Sequence, residues 1–126
     1  MKSEVAFFRC KHCGNLVGLI KSGGGTLVCC GENMEKLVPN TTDAAVEKHV
    51  PVAVREAGKI SVEVGSAAHP MIDAHYIEWI AVIGDEGTER ISLSPGDAPK
   101  AVFCDKKNAE VYAYCNLHGL WKADVE

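Results

Sequence analysis

The alternation of apolar and polar positions predicts strands along most of the chain. Lys59-Ile60-Ser61-Val62-Glu63-Val64 alternates strictly and Thr88-Glu89-Arg90-Ile91-Ser92-Leu93 nearly so. This period of two puts successive side chains on opposite faces of a sheet. Residues 77–83, around Trp79, form a more uniformly apolar run and also read as a strand, as does Ala101-Val102-Phe103. Turn signals at Glu56-Ala57-Gly58, at residues 84–87 and at Ser94-Pro95-Gly96-Asp97 recur at short spacing. A 3.6-residue pattern is confined to a possible turn of helix near residues 43–48. The expected fold is a small antiparallel β-sandwich, with no internal repeat and no low-complexity segment.

The first 37 residues break this picture. Short strands at Val5-Ala6-Phe7-Phe8-Arg9, Leu16-Val17-Gly18-Leu19-Ile20 and Thr26-Leu27-Val28 are separated by glycine turns, the triple Gly23-Gly24-Gly25 among them. Apolar content there is too thin to offset backbone entropy, so such a unit needs a metal to fold. Residues 38–45 turn polar, with Pro39-Asn40-Thr41-Thr42-Asp43, and read as a linker. The expected organisation is a metal-stapled module over 1–37, a linker over 38–45 and a β-sandwich over 46–126.

Composition narrows the setting. The 126 residues are 47% hydrophobic and 24% charged, ordinary globular values. No apolar run approaches the roughly 18 residues of a membrane span, and the N-terminus leads into a strand-like stretch rather than a signal peptide. A cytoplasmic protein without a membrane partner is expected, where thiols stay reduced and six cysteines argue for metal ligation over disulfides. A net charge of −4 offers nucleic acid no long-range attraction, and an anionic substrate has to be drawn in locally.

Cys10-Lys11-His12-Cys13 is a C-x-x-C knuckle, followed by the adjacent pair Cys29-Cys30. Four thiolates complete a tetrahedral shell that zinc and mononuclear iron both accept, and a structural zinc ribbon is the plain alternative. Adjacent residues of an extended strand point to opposite faces, so Cys29 and Cys30 must be twisted together to share an ion. His12 is expected to be exposed and without a role, and Cys104, in its apolar strand, buried and inert.

A second set comprises His49, His69, His75, Cys115 and His118. Pro70 biases His69 toward extended backbone. Cys115 and His118 are close enough in sequence to bind one ion. Five protein ligands are too many for structural zinc but leave one octahedral position open, and a thiolate opposite that position pushes electron density onto whatever binds there. Imidazole with thiolate suits iron.

The motifs Glu47-Lys48-His49-Val50-Pro51, Ala68-His69-Pro70-Met71, His75-Tyr76-Ile77-Glu78-Trp79-Ile80 and Tyr114-Cys115-Asn116-Leu117-His118-Gly119-Leu120-Trp121, behind the C-x-x-C and Cys-Cys pair, resemble desulfoferrodoxin, the two-iron class of superoxide reductase. The resemblance covers nearly the whole chain. It implies an all-β protein with a desulforedoxin-like Fe(Cys)4 domain and an immunoglobulin-like superoxide reductase domain. It implies two non-haem irons: one held by Cys10, Cys13, Cys29 and Cys30, the other by His49, His69, His75 and His118 in a plane with Cys115 axial. The implied activity is one-electron reduction of superoxide to hydrogen peroxide by a homodimer, with electrons from a rubredoxin-like donor. Lys48 would attract superoxide and Glu47 would cap the ferric site, whereas residue type alone favours a solvated charge pair there. The Fe(Cys)4 centre would relay electrons or, slightly favoured, stabilise the dimer. Amides near Leu117 and His118 would moderate the Cys115 sulfur. The competing expectation is a non-catalytic electron-transfer or metal-binding protein with a zinc-ribbon-like N-terminal module.

Overall fold

In the computed structural model, which describes residues 5–125, the chain divides between Val38 and Pro39 into two units. The first contains β1 (Ala6–Arg9), β2 (Leu16–Leu19), β3 (Val28–Cys29), β4 (Glu32–Asn33) and β5 (Glu35–Lys36). β1 is the centre of an antiparallel sheet of order β2-β1-β5, and β3 and β4 form a separate hairpin. Of this unit's described apolar residues, only Ala6 and Cys10 are buried. So little burial cannot offset chain entropy, which fits a fold completed at its thiolates.

The second unit holds a one-turn helix, α1 (Val46–His49), and β6 (Pro51–Glu56), β7 (Lys59–Val64), β8 (Ile77–Gly84), β9 (Gly87–Ser92), β10 (Lys100–Cys104), β11 (Glu110–Cys115) and β12 (Gly119–Asp124). These make two antiparallel sheets, ordered β10-β7-β6 and β12-β11-β8-β9. The sheets face each other, β6 against β11 and β12, and β10 against β8. This is the immunoglobulin-like sandwich, with β9 paired to β8 rather than to β10. Among the described residues no helix is long and apolar enough to cross a membrane.

The strict alternation of β7 sends Ile60, Val62 and Val64 into the core, where they meet Ile80, Val82, Phe103, Val111 and Ala113. β8 is buried along almost its whole length because it is an interior strand covered on both faces, which explains its unbroken apolar character. Residues 38–45, read from composition as a linker, lie with the second unit from Pro39 onward. Asn40 donates through its backbone N to Leu120 O (3.0 Å), and its side chain exchanges bonds with the backbone of Lys122 at 3.1 and 2.8 Å.

Cys104 corrects an expectation: it is exposed, not buried. Period two explains why, since Phe103 takes the inward position of β10 and its neighbours must point out.

Candidate metal centres

The hairpin of β3 and β4 solves the problem of adjacent cysteines. Val28 pairs with Asn33 and Cys29 with Glu32, leaving Cys30-Gly31 as a two-residue turn with φ of 52° and 74°. Positive φ at both central residues is the type I′ turn that matches strand twist. It swings Cys30 back beside Cys29, so that their sulfurs are 3.9 Å apart, and Cys13 Sγ lies 3.6 Å from Cys29 Sγ. A tetrahedron with metal–sulfur bonds of ~2.3 Å has edges of ~3.8 Å. Cys10, Cys13, Cys29 and Cys30 therefore fit one tetrahedral ion, all four sulfurs lying within 4.8 Å of one another.

The knuckle supplies N–H groups to this sulfur cluster. Cys13 N donates to Cys10 Sγ (3.4 Å), Asn15 N to Cys13 Sγ (3.5 Å) and Asn15 Nδ2 to Cys29 Sγ (3.7 Å). The backbone N–H of Cys13 is the main reason the Cys10 thiol falls to about 6. Without a cation, neighbouring sulfurs push Cys30 up to about 12, the side chain of Cys13 foremost. Four crowded sulfurs thus invite an ion that lets all ionise together. His12 is exposed as expected but not idle: its Nε2 pairs with the Glu32 carboxylate, tying the knuckle to β4.

The second cluster gathers at one end of the sandwich. His49 comes from α1, His69 from the loop after β7, His75 from a tight turn closed by reciprocal Ile72–His75 backbone bonds of 3.1 and 3.0 Å, and Cys115 and His118 from the β11–β12 hairpin. Four imidazoles form a square. Neighbouring centroids are 4.6 Å (His49–His69), 4.7 Å (His69–His75), 5.0 Å (His75–His118) and 4.9 Å (His118–His49), with interplanar angles of 81°, 81°, 78° and 88°. Across the diagonal, His49 and His75 are 6.1 Å apart and nearly parallel at 28°.

Hydrogen bonding decides which nitrogens face inward. Nδ1–H of His49 donates to Ala45 O (2.8 Å) and Nδ1–H of His69 to Pro70 O (2.7 Å). A carbonyl only accepts, so in the neutral rings both Nε2 atoms carry lone pairs. These two lone pairs face each other at 3.1 Å. Burial keeps the rings neutral, lowering His49 and His75 and taking His69 to about 4. His75 Nε2 is buried without a hydrogen-bond partner. Opposed lone pairs and an orphaned nitrogen are what a cation would satisfy. Two nitrogens 3.1 Å apart that bind one ion at right angles each lie about 2.2 Å from it, close to the ~2.0–2.1 Å of metal–imidazole bonds. His118 presents Nδ1 instead, 3.1 Å from His49 Nε2 and 3.8 Å from Cys115 Sγ.

Cys115 is fully buried at the end of β11. A bulge places it there: Tyr114 pairs with Trp79 but Cys115 with Ile77, so Glu78 is skipped. The shift turns Ile77 rather than the Glu78 carboxylate into the core opposite Cys115. Burial pushes the Cys115 thiol up, while the backbone N–H groups of His118 and Leu117 pull it down.

Glu47 and Lys48 are exposed on α1 beside His49. Their backbone is pinned, with Glu47 O accepting from Ala67 N (2.8 Å) and Ser66 Oγ (3.3 Å). Three supporting residues carried no sequence signal of their role. Gly65 packs against this turn; Asn116 bonds to both backbone groups of Tyr76; Trp121 stacks on His49 at 4.8 Å and donates Nε1–H to His118 O (3.1 Å). Tertiary contacts alone reveal them.

Two family models match the chain, described as desulfoferrodoxin over residues 41–124 and desulfoferrodoxin, N-terminal domain, over residues 2–37. The chain is 49% identical over 126 residues to a desulfoferrodoxin of Nitratidesulfovibrio vulgaris, covering 99% of this chain and 100% of that one. It is also 49% identical to a desulfoferrodoxin homolog of Archaeoglobus fulgidus, covering 98% and 99%. Among solved structures, the superoxide reductase from Treponema pallidum superposes with a TM-score of 0.77 at 34% identity, covering 96% of this chain and 99% of that one.

Proposed function

The chain belongs to the desulfoferrodoxin family, and from that premise we propose that it is a superoxide reductase. The observation that carries this reading is a ring of four imidazoles, each roughly perpendicular to its neighbours, beside a buried thiol: His49, His69, His75 and Cys115 bring one donor atom each to within 4.8 Å of one another, and His118 Nδ1 lies 3.1 Å from His49 Nε2. An iron held by His49, His69, His75, His118 and Cys115 would supply the one-electron chemistry: superoxide, one electron and two protons balance to one hydrogen peroxide, so every turnover would draw one electron from an outside donor.

The protein's own groups prepare this step. Ala45 O and Pro70 O hold His49 and His69 in the tautomer that presents Nε2. The amides of Leu117 and His118 stabilise the Cys115 thiolate and temper its electron donation. On a chain of net charge −4, Lys48 is the exposed cation next to a ligand in sequence and draws in the anion over the ~10 Å reach that salt allows. Glu47, exposed on the same turn, would offer its carboxylate to the oxidised metal between turnovers. In our reading the four-cysteine site holds a second iron with a chiefly structural part, the donor is a rubredoxin-like protein, and the molecule works as a cytoplasmic homodimer.

The reaction is tested by supplying superoxide to the reduced, iron-loaded protein with a reductant present. A reductase forms one peroxide per superoxide and evolves no oxygen. One peroxide per two superoxides, with oxygen released, refutes it in favour of dismutation. No consumption above background leaves the metal-binding alternative.

A further inference from the structure

Two ligand-bearing loops of the second centre are joined through one side chain that coordinates nothing. Asn116 lies between Cys115 and His118, and its amide reaches the segment around His75. Its Oδ1 accepts from Tyr76 N (2.9 Å) and its Nδ2 donates to Ala74 O (3.1 Å), while its backbone N donates to Tyr76 O (3.2 Å). The two backbone groups held by the side chain flank His75 on either side. The half-buried amide thus uses both ends, its oxygen as acceptor and its nitrogen as donor, on two backbone groups that a single hydroxyl could not span in the same way.

We propose that Asn116 is the positioning residue of this metal centre, holding the Cys115–His118 loop in register with His75 so that thiolate and imidazoles converge on one ion. Two features make the register need a clip. The β-bulge ends regular pairing of β11 with β8 at Tyr114, so no continuous ladder carries alignment from the sheet into the loop. His75 sits on a short turn just before β8, closed by its two backbone bonds to Ile72. Beyond the Cys115–Ile77 pair, Asn116 makes the hydrogen bonds between these segments. The inference rests on the metal centre alone and stands whether or not the bound metal reduces superoxide.

The test is iron retention in the full, iron-loaded chain. Ferrous iron is challenged anaerobically with a chelator, loss from the histidine–cysteine site is followed separately from the four-cysteine site, and the thiolate-to-iron absorption band is recorded after oxidation. Groups that orient metal ligands change affinity by roughly 10–100-fold when removed. Asn116→Ala is expected to release iron from this site about 10–100-fold faster and to shift the absorption band, with release from the four-cysteine site unchanged. Asn116→Asp keeps the acceptor for Tyr76 N but sets a carboxylate oxygen against Ala74 O, and an intermediate release rate is expected. Release within twofold of wild type in Asn116→Ala, an unmoved band, or parallel loss from both sites overturns the proposal. Should the alanine variant fail to fold, Asn116→Asp carries the test, and a wild-type release rate there overturns it equally.

Discussion

Gly65 offers the sharpest test of how the turn bearing Lys48 is placed. A Cβ built at this position lies 2.6 Å from Glu47 O, 2.9 Å from Lys48 C and 3.1 Å from Glu47 C. Ordinary contact begins near 3.4 Å, so Gly65→Ala must move the turn or the loop by about 0.8 Å. Relief is hard to find, because the same loop holds Glu47 O through Ala67 N at 2.8 Å and Ser66 Oγ at 3.3 Å. The atoms pushing the turn away and those holding it are at most two residues apart. Overpacking of this kind costs about 1–3 kcal/mol, partly offset by the ~0.4–1 kcal/mol that alanine gains over glycine through the unfolded chain. The functional effect is expected to be larger, since misplacement by about 1 Å can cost ~100-fold in rate. The assay pairs urea unfolding with the second-order rate constant for superoxide at several ionic strengths. Expected are a net loss of about 1–2 kcal/mol, a rate reduced by about 10- to 100-fold, and a flatter salt dependence as Lys48 moves. Stability within ~0.5 kcal/mol and a rate within twofold of wild type would refute the argument from steric contact.

Other consequences are open to direct measurement. Lys48→Ala should lower the encounter rate with superoxide by on the order of tenfold at low salt and flatten its ionic-strength dependence, and an unchanged rate constant rules out the steering role. Cys30→Ser keeps a turn-compatible residue but removes one thiolate, so metal analysis should fall from two ions per chain to one, with the histidine–cysteine site still loaded; two ions retained would contradict a four-sulfur site. In the metal-free chain, burial lowers His49, His69 and His75, with His69 at about 4. For His69 the unfolded chain then binds more protons than the folded one between about 6.5 and 4, so stability is present above the unfolded value and is lost as pH falls through that window, by up to about 1.4 kcal/mol per pH unit, with His49 and His75 acting in the same direction. A urea midpoint that holds steady from pH 7 to pH 5 would show that these rings are not buried neutral.

Much of the molecule was legible in the residues themselves. Strict alternation located β7, an apolar run located β8, and the thin apolar content of the first 37 residues anticipated the sparse burial of the first unit. Both donor sets were visible because cysteine and histidine are few and carry distinctive chemistry. The misreading of Cys104 arose because an apolar stretch suggests burial while period two decides which residue of a pair turns inward. The bonds of Asn40 to Lys122 within the segment 38–45 were not legible, because polar composition is shared by linkers and by segments bonded side chain to backbone.

Sequence alone determined which side chains could bind metal and that they fall into a thiolate set and an imidazole-rich set, because ligand chemistry belongs to the side chain. Only the tertiary structure decided how they meet. The type I′ turn at Cys30-Gly31 brings adjacent cysteines to one point, and carbonyls of Ala45 and Pro70 select the inward nitrogens. A bulge at Glu78 sets Cys115 into the core, and Gly65 and Asn116 hold the loops around it. Each of these depends on residues distant in sequence, or on a local conformation, that residue spacing does not record.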